Sequence, residues 1–238
     1  MKFKTDISTT KDGKHLIRGH DVVDLIKNHT FTETIFLLLR GDLPEKREAE
    51  LLESMLIASL ENGIEAPSLY VPRIVAASGN DFHTALAAGM ISIGEKHGGA
   101  AEKAAELFAS GKTAQAIVDE HKIIPGFGHK IYKDEDPRTT ALFEKAKALG
   151  FSLQHFNLAH EIEQALAAKK GKKLPLNIDG ALACCMLELG FSPKLGKALF
   201  LISRIVGMSA HVLEEYQQGN SYYRLEESDI EKIHLDKN

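Results

Sequence analysis

Apolar residues recur at helical spacing along nearly the whole chain, and this periodicity limits the fold more than any other feature of the sequence. The first apolar stripe follows Asp21, a residue able to cap a helix, and similar stripes continue as far as Gln217. A strand signal stands only near the N-terminus, where Asp12-Gly13 predicts a hairpin because Asp-Gly accepts positive φ. The sequence therefore predicts an all-α fold with a short N-terminal hairpin.

The predicted helices combine this periodicity with cap and stop residues. They cover 31–39, 44–63, 100–109, 113–121, 138–149, 153–169, 180–189 and 193–217. The stretch 81–94 is rich in Ala and Gly, so its backbone can approach a neighbouring helix closely. We expect that stretch to lie deep in the core.

Length and charge narrow the class of protein. A chain of 238 residues can bury a substantial core and form two lobes with a cleft. Its formal charge of −4 leaves no large cationic surface, which argues against nucleic acid as a partner. The N-terminus lacks an apolar signal core and the longest unbroken apolar run, 181–187, is too short to cross a bilayer, so we expect a cytoplasmic protein without a membrane partner.

Cysteine and histidine spacing predicts no metal site. Cys184 and Cys185 are neighbours, which suits neither an ordinary disulfide nor a zinc cluster, and indicates buried packing residues in a reducing compartment. His83 and His211 sit in apolar helices, the usual place of a buried structural histidine.

Two histidines stand beside glycines that leave room for a ligand. His97 precedes Gly98-Gly99 at the end of an apolar helix, although this segment also fits a helix terminus with a hydrated imidazole. His129 ends Pro125-Gly-Phe-Gly-His129, where Pro and Gly define a bend from which the imidazole can exchange protons near neutral pH.

Three charged residues complete the candidates. Asp136-Pro137-Arg138 offers a helix cap followed by a guanidinium that can bind a carboxylate, or simply a cap with an exposed Arg. Asp179 lies between apolar residues, where partial desolvation makes a carboxylate more basic, although it could equally cap the helix that follows. Arg204 lies in an apolar run and needs an anion, either a ligand or a structural partner such as Glu188 or Glu214.

Together and in this order, seven segments resemble the citrate synthase superfamily, which includes citryl-CoA lyases and the lyase module of ATP-citrate lyase. The segments are 17–25, 36–44, 94–100, 125–129, 136–138, 177–179 and 203–211. The resemblance implies an all-α, citrate-synthase-like fold with two lobes that close over substrates, in a homodimer or higher homo-oligomer. The larger lobe would comprise 1–100 and 190–238, and the smaller lobe 101–189.

The resemblance also implies roles for three catalytic residues. Asp179 would exchange a proton with the methyl carbon of acetyl-CoA, while His97 hydrogen-bonds the thioester oxygen of the enolate. His129 would exchange the proton on the oxygen of the second substrate. A thioester α-proton is too weakly acidic for a lone carboxylate, so a donor to the developing oxyanion is required.

The implied binding residues fall into two sets. Carboxylates of the second substrate would meet Arg138, Arg204, Arg224 and the Asn62 segment, with Arg224 reaching the site of the neighbouring subunit. Coenzyme A would meet Lys133 at its phosphates and the backbone of Gly126, Phe127 and Gly128 at its adenine. Asn62 is a departure, because the family usually has a histidine there and Asn cannot carry a positive charge.

The short chain and the segments 61–68 and 176–181 are more similar to citryl-CoA lyases than to full citrate synthases. We therefore expect an acyl-CoA carbon–carbon lyase that cleaves citryl-CoA to acetyl-CoA and oxaloacetate by acid–base retro-Claisen chemistry. A coenzyme A thioester and a di- or tricarboxylate would be its small-molecule partners, without a metal or a permanently bound cofactor. Two alternatives stay open: condensation of an acyl-CoA with oxaloacetate or another 2-oxo acid, and an inactive subunit for CoA binding or assembly.

Overall fold

A computed structural model describes residues 1–231 of the chain, and this part is mostly helical, as the periodicity predicts. Its α-helices are α1 Val22–Asn28, α2 Phe31–Arg40, α3 Lys46–Ser59, α4 Pro67–Ala77, α5 Phe82–Ile91, α6 Ala100–Phe108, α7 Ala114–Glu120, α8 Pro137–Ala148, α9 Gln154–Lys170, α10 Ile178–Glu188 and α11 Gly196–Gln218. Short 3₁₀ turns lie at Pro193–Leu195 and Glu227–Asp229. His234 and the rest of 232–238 in the predicted larger lobe lie outside the described residues.

The N-terminal hairpin is confirmed and is one strand longer than predicted. Strands β1 (Ser8–Lys11) and β2 (Lys14–Ile17) pair antiparallel around Asp12 and Gly13, which both have positive φ. A third strand, β3 (His20–Asp21), pairs with β2. The sequence analysis missed β3 because its turn uses Arg18, a non-glycine residue with a φ of 48°.

Local sequence explains why the first helices begin and end where they do. The Asp21 carboxylate accepts the Val23 amide at 2.9 Å and caps α1. Thr30 and Glu33 form a reciprocal capping box at the start of α2. Gly41 ends α2 in the left-handed conformation with a φ of 103°, which costs glycine little.

Helix α4 is absent from the predicted helices. Pro67 opens it, where a missing amide hydrogen costs nothing, but Pro72 lies inside it. An internal proline removes a backbone hydrogen bond and normally breaks a helix. Here Pro72 is buried, so packing of the helix offsets the lost bond.

Packing divides the chain into two units. Among the described residues, the first comprises Met1–Leu60 and Gly98–Ser203, and the second comprises Glu61–His97 and 204–231. The boundaries of these units differ from those of the predicted lobes. The predicted lobes are defined by their movement when substrates bind, which packing does not test, so they stay a prediction.

The core of the first unit is built around α10. The side chains from Ala181 to Met186 are all at most 5% exposed. Cys184 and Cys185 are free, fully buried thiols, which confirms their predicted role in packing. Burial raises the pKa of both thiols, so they stay protonated.

The second unit packs α4 against α5 through small residues. A Cβ on Gly89 would lie 3.1 Å from the side chains of Pro72 and Met208 and from the Ser68 carbonyl, so the predicted close approach is confirmed. The predicted deep burial of 81–94 is wrong, because Ile91 is 83% exposed and His83 is also exposed. The small residues that allow the approach lie on one stripe of α5, and only that stripe is covered.

Helix α11 is apolar for a reason visible inside the protein. The stretch Pro193–Gln218 is long and apolar enough to cross a membrane by length and composition alone. Met208 and Val212 on this helix are fully buried, and so is Glu215, whose carboxylate binds Arg73. Burial in a protein core selects the same residue types as a bilayer does.

Candidate active site

The loop that carries His129 folds against the segment that leads into α10. We call residues 124–136 the histidine loop. The Gly128 amide donates to the Pro175 carbonyl at 2.7 Å, and the Asn177 amide donates to the Gly126 carbonyl at 2.9 Å. The Asn177 side chain also donates to the Gly128 carbonyl at 2.9 Å. These backbone contacts place the histidine loop beside the first turn of α10.

Glycine is required where the histidine loop approaches α10. Gly126 has a φ of +89°, and a Cβ there would lie 2.8 Å from the Cα of Gly180. Phe127 packs edge-on against Phe108, with ring centroids 6.1 Å apart. The Phe127 side chain therefore packs against the core, while the backbone of Gly126 and Gly128 is hydrogen-bonded to the segment before α10.

The His129 ring is oriented by its own loop. The amides of Ile131 and Tyr132 both donate to Nδ1 at 3.1 Å, and the ring lies against Tyr132 with centroids 4.8 Å apart. Because Nδ1 accepts these bonds, the neutral ring carries its proton on Nε2. Nε2 lies 3.5 Å from Nη2 of Arg138, which can only donate, so in this tautomer the two groups are neighbours and not hydrogen-bond partners. His129 can therefore donate a hydrogen bond from Nε2 next to a fixed positive charge.

Arg138 is held by a fully buried carboxylate. Asp136 is 0% exposed and accepts Nε of Arg138 at 3.0 Å and Nη2 at 2.8 Å. Burial alone would raise the pKa of Asp136, but the hydrogen bonds and charge of Arg138 lower it. The same contact raises the pKa of Arg138. The predicted cap at Asp136 is confirmed, since it also accepts the Arg138 amide, and the guanidinium is anchored instead of freely exposed.

Asp179 lies in the first turn of α10 but does not cap it. The cap is Asn177, whose side-chain oxygen accepts the Gly180 amide at 3.2 Å. The alternative interpretation of Asp179 as the helix cap is therefore wrong. Asp179 is partly buried, and its charge is one of those that raise the pKa of Arg138, after the larger effects of Asp136.

Lys133 lies on the exposed side of the histidine loop. Its Nζ donates to the carbonyls of His129 at 3.2 Å and Lys130 at 2.7 Å. The ammonium group is therefore tied to the loop whose backbone we expect to meet coenzyme A. Its role at the phosphates of coenzyme A stays a prediction.

His97 is oriented in the second unit by a serine that the sequence analysis missed. The Ser68 amide donates to Nε2 of His97 at 3.3 Å, and the Ser68 hydroxyl lies 2.9 Å from the same nitrogen. The neutral ring then carries its proton on Nδ1. Burial, and after it the positive charge of Arg204, lower the pKa of His97. The ring therefore stays neutral to a lower pH than an ordinary histidine does.

Arg204 is buried beside the same serine. Arg204 is 3% exposed, and its Nη1 donates to the Ser68 hydroxyl at 3.3 Å. The two carboxylates suggested as its structural partners are engaged elsewhere: Glu188 accepts from His155, and Glu214 accepts from Arg73. The role of Arg204 towards an anionic ligand stays a prediction.

Asn62 and Arg224 lie in non-helical segments of the second unit. Asn62 follows the end of α3, within Glu61-Asn62-Gly63. Arg224 is exposed in the segment after α11, next to Tyr223, whose hydroxyl donates to Glu215 at 3.0 Å. Within residues 1–231, no group of three or more His, Cys, Asp or Glu side chains is placed to hold a metal ion.

Each unit thus collects part of the predicted set. The first unit brings together His129, Arg138 and Asp179 with the coenzyme-binding candidates of the histidine loop. The second unit links His97 to Arg204 through Ser68. A sequence signal for Ser68 exists, since it follows Pro67 at the start of a helix, but the internal Pro72 hid that helix.

Comparison with known proteins identifies the family and the fold. The family model described as "Citrate synthase, C-terminal domain" matches residues 1–50 and 44–226. The structure of citryl-CoA lyase from Hydrogenobacter thermophilus is 38% identical, with a TM-score of 0.93 over 99% of this chain and 96% of that chain. ATP citrate lyase from Methanothrix soehngenii, in complex with citrate and coenzyme A, is 26% identical with a TM-score of 0.90, over 100% of this chain and 42% of that chain.

Curated relatives give the same family. Probable ATP-citrate synthase subunit 1 of Neurospora crassa is 28% identical over 96% of this chain and 38% of the relative. Citrate synthase 2 of Bacillus subtilis is 29% identical over 84% of this chain and 56% of the relative. This chain spans about two fifths of the length of the fungal relatives it matches. Since the family model covers most of the chain and the fold agrees, the chain belongs to the citrate synthase family.

Proposed function

We propose that the chain cleaves citryl-CoA to acetyl-CoA and oxaloacetate by acid–base retro-Claisen chemistry. The likeness to a citryl-CoA lyase over nearly the full length of both chains supports this reaction. The observation that carries the proposal is the state of His97, a neutral imidazole whose Nε2 is occupied by Ser68. In this tautomer the N–H is on Nδ1, and an enolate oxygen requires a hydrogen-bond donor of that kind.

Cleavage breaks the bond between the hydroxyl-bearing carbon and the methylene carbon next to the thioester. The electron pair moves onto the thioester carbonyl, and the enolate oxygen accepts a hydrogen bond from Nδ1 of His97. Protonated Asp179 then delivers its proton to the terminal carbon and completes acetyl-CoA. A donor fixed before the reaction stabilises the charge as it forms, without reorganisation during the step.

His129 would handle the proton of the citryl hydroxyl. A neutral ring protonated on Nδ1 takes that proton at Nε2, and loss of the Nδ1 proton to water gives the tautomer described above. The ring with its proton on Nδ1 requires the amides of Ile131 and Tyr132 to turn away, since both donate to Nδ1 in this structure. The tautomer that these two bonds select therefore suits the oxaloacetate side of the reaction, where a keto oxygen needs a donor.

The binding residues follow from charge. Anchored Arg138 and buried Arg204 would receive carboxylates of the citryl group, with Asn62 and Arg224 completing that site. Lys133 and the backbone of 126–128 would receive coenzyme A as a substrate that leaves after each turnover. The neighbour from Methanothrix soehngenii, in complex with citrate and coenzyme A, supports this pair of ligands.

The test is product analysis in both directions. Purified chain is given citryl-CoA, and oxaloacetate and acetyl-CoA are measured; acetyl-CoA with oxaloacetate is assayed in parallel. We expect cleavage in the wild type and loss of turnover in Asp179→Ala and His129→Ala, with coenzyme A affinity retained. Asp42→Asn, an exposed position, is the control. Unchanged turnover in Asp179→Ala would refute the mechanism.

Condensation is the second candidate, favoured by the similarity to citrate synthase 2 of Bacillus subtilis. Release of free citrate and coenzyme A from acetyl-CoA and oxaloacetate would identify it, because hydrolysis of the thioester follows bond formation only in a synthase. A wild type that binds coenzyme A without turning over either substrate set would instead indicate a binding or assembly subunit.

A homo-oligomer is proposed from the surface of the second unit. This unit exposes large apolar side chains on α4, α5 and α11, namely Tyr70, Ile74, Met90, Ile91, Val206 and Leu213. Association with a second copy of the chain would cover these side chains. A cytoplasmic location stays a prediction from the sequence.

A further inference from the structure

The turn that carries Asn62 is organised by the carboxylate before it. Oε2 of Glu61 accepts the Gly63 amide at 2.7 Å, and the carboxylate also interacts with the Asn62 amide. Oε1 of Glu61 lies 3.0 Å from Nε2 of His211 on α11. Burial alone would raise the pKa of Glu61, but the Gly63 amide, His211 and the Asn62 amide together lower it. The carboxylate therefore stays charged and holds both amides of the turn.

His211 faces a second carboxylate on its other side. Its side chain is 17% exposed, and Nδ1 is buried without a hydrogen bond, 4.0 Å from a carboxylate oxygen of Glu214. Glu214 is itself bound by Arg73, which also donates from Nε to Glu215 at 2.6 Å. The charged groups that face the imidazole are thus Glu61 from the turn, Glu214 from its own helix and, behind Glu214, Arg73 from α4.

We propose that His211 is a positioning residue, whose Nε2 holds Glu61 and thereby fixes the Glu61–Gly63 turn so that the Asn62 side chain meets the second substrate. This inference rests on the proposed function. It gives the departure at position 62 a physical consequence: a short, uncharged carboxamide recognises a carboxylate or hydroxyl only by direct hydrogen bonds, which require a fixed backbone. A mobile turn would remove that recognition.

Replacing His211 by Gln or by Asn distinguishes loss of the contact with Glu61 from loss of the imidazole itself. Gln places a side-chain N–H near the position of Nε2 and can still donate to Glu61, whereas Asn is too short to reach it. We expect His211→Asn to raise the KM for oxaloacetate about tenfold in the condensation direction, as loss of a hydrogen bond to a charged group does. The KM for acetyl-CoA and kcat should change less than about twofold, and His211→Gln should stay near the wild type.

A second readout does not depend on turnover. Hydrogen exchange followed by mass spectrometry should show faster exchange in the peptide spanning 61–66 for His211→Asn than for His211→Gln, because the turn amides lose their fixed acceptor. Melting temperatures show whether each variant folds. If His211→Asn does not fold, Glu61→Gln is measured in its place, because it weakens the same contact from the side of the turn.

The outcomes are distinct. An active wild type with equal rises of both KM values, or with His211→Gln as impaired as His211→Asn, overturns the positioning role. Unchanged exchange at 61–66 in His211→Asn overturns it even if the wild type is inactive. A wild type inactive in both directions with altered exchange refutes the proposed function and its substrate, while the Glu61–His211 contact stands.

Discussion

The two imidazoles of the candidate site are fixed in the same way by different parts of the chain. In both, one ring nitrogen accepts from backbone amides and leaves the other with a proton to donate. For His129 the donors are the amides of Ile131 and Tyr132, two and three residues away. For His97, which lies between α5 and α6, the donor is Ser68, 29 residues earlier in the first turn of α4.

The occupied nitrogen also differs, being Nδ1 in His129 and Nε2 in His97. Local backbone geometry fixes the first ring, so it can change tautomer when its loop moves. Tertiary packing fixes the second ring, and burial with the charge of Arg204 keeps it neutral. The first arrangement suits proton exchange and the second suits a permanent hydrogen-bond donor.

The largest expected effect comes from replacing each ring by an amide of defined reach. His97→Asn keeps a donor near Nδ1, whereas His97→Gln does not. We expect His97→Gln to lose about 10²- to 10³-fold in kcat, as removal of an oxyanion donor does, and His97→Asn to lose clearly less. Steady-state cleavage of citryl-CoA measures the difference.

At His129 the same pair should behave alike, because neither amide exchanges protons. We expect His129→Gln and His129→Asn both to lose about 10²- to 10⁴-fold in kcat. If His129→Gln retained most of the activity, His129 would be only a donor, and the distinction between the two rings would disappear.

The local fixation of His129 depends on Gly126. Gly126→Ala must place a Cβ 2.8 Å from Gly180 at a φ of +89°, so we expect about 3 kcal/mol of destabilisation with loss of activity. Gly111→Ala is the matched control, since Gly111 has a φ of +72° with nothing within 4 Å. Gly111→Ala should lower the free energy of unfolding, measured by chemical denaturation, by about 1 kcal/mol. Equal losses of stability in the two variants would contradict the close approach at Gly126.

A third histidine shows what a structural contact does. The Glu188 side chain is 2% exposed and accepts from His155 and Ser152. Burial opposes these bonds, yet together they lower the pKa of Glu188 to about 2 from 4.5. The resulting stability, about 3 kcal/mol, is present above pH 4.5 and is lost as the pH falls towards 2.

The check is the free energy of unfolding of Glu188→Gln and wild type at pH 7 and pH 3. The wild type should be more stable than the variant at pH 7, and most of that advantage should be gone at pH 3. An advantage that is independent of pH would refute the charged contact.

The smallest expected effect is at Ser68, whose hydroxyl links His97 to Arg204. Ser68→Ala keeps the amide that donates to His97 but removes the hydroxyl contacts, so we expect kcat to fall about tenfold with little change in coenzyme A affinity. Ser78→Ala removes an exposed hydroxyl at the opposite end of the same helix and should be near wild type. A fall in coenzyme A affinity with unchanged kcat would show that Ser68 does not act through the catalytic residue His97.

Much of the fold could be predicted because its signals are local. The caps at Asp21 and Thr30, the turn at Asp12-Gly13 and the apolar stripes each act over a few residues. Helix α4 could not be predicted, because the cost of Pro72 is local while the packing that offsets it is not. The same asymmetry explains why 81–94 was expected in the core: small residues permit close approach without saying how many faces are covered.

The sequence alone determined the family, the helical architecture and the identity of the candidate catalytic side chains, because periodicity and ordered motifs are written along the chain. Only the tertiary structure decided that Asn177 caps α10 in place of Asp179, that Ser68 orients His97, and that His211 holds the turn of Asn62. Each of these depends on a hydrogen bond whose existence or choice of partner is set by burial and three-dimensional proximity. Sequence spacing lists the groups that can bond, and packing selects which of them do.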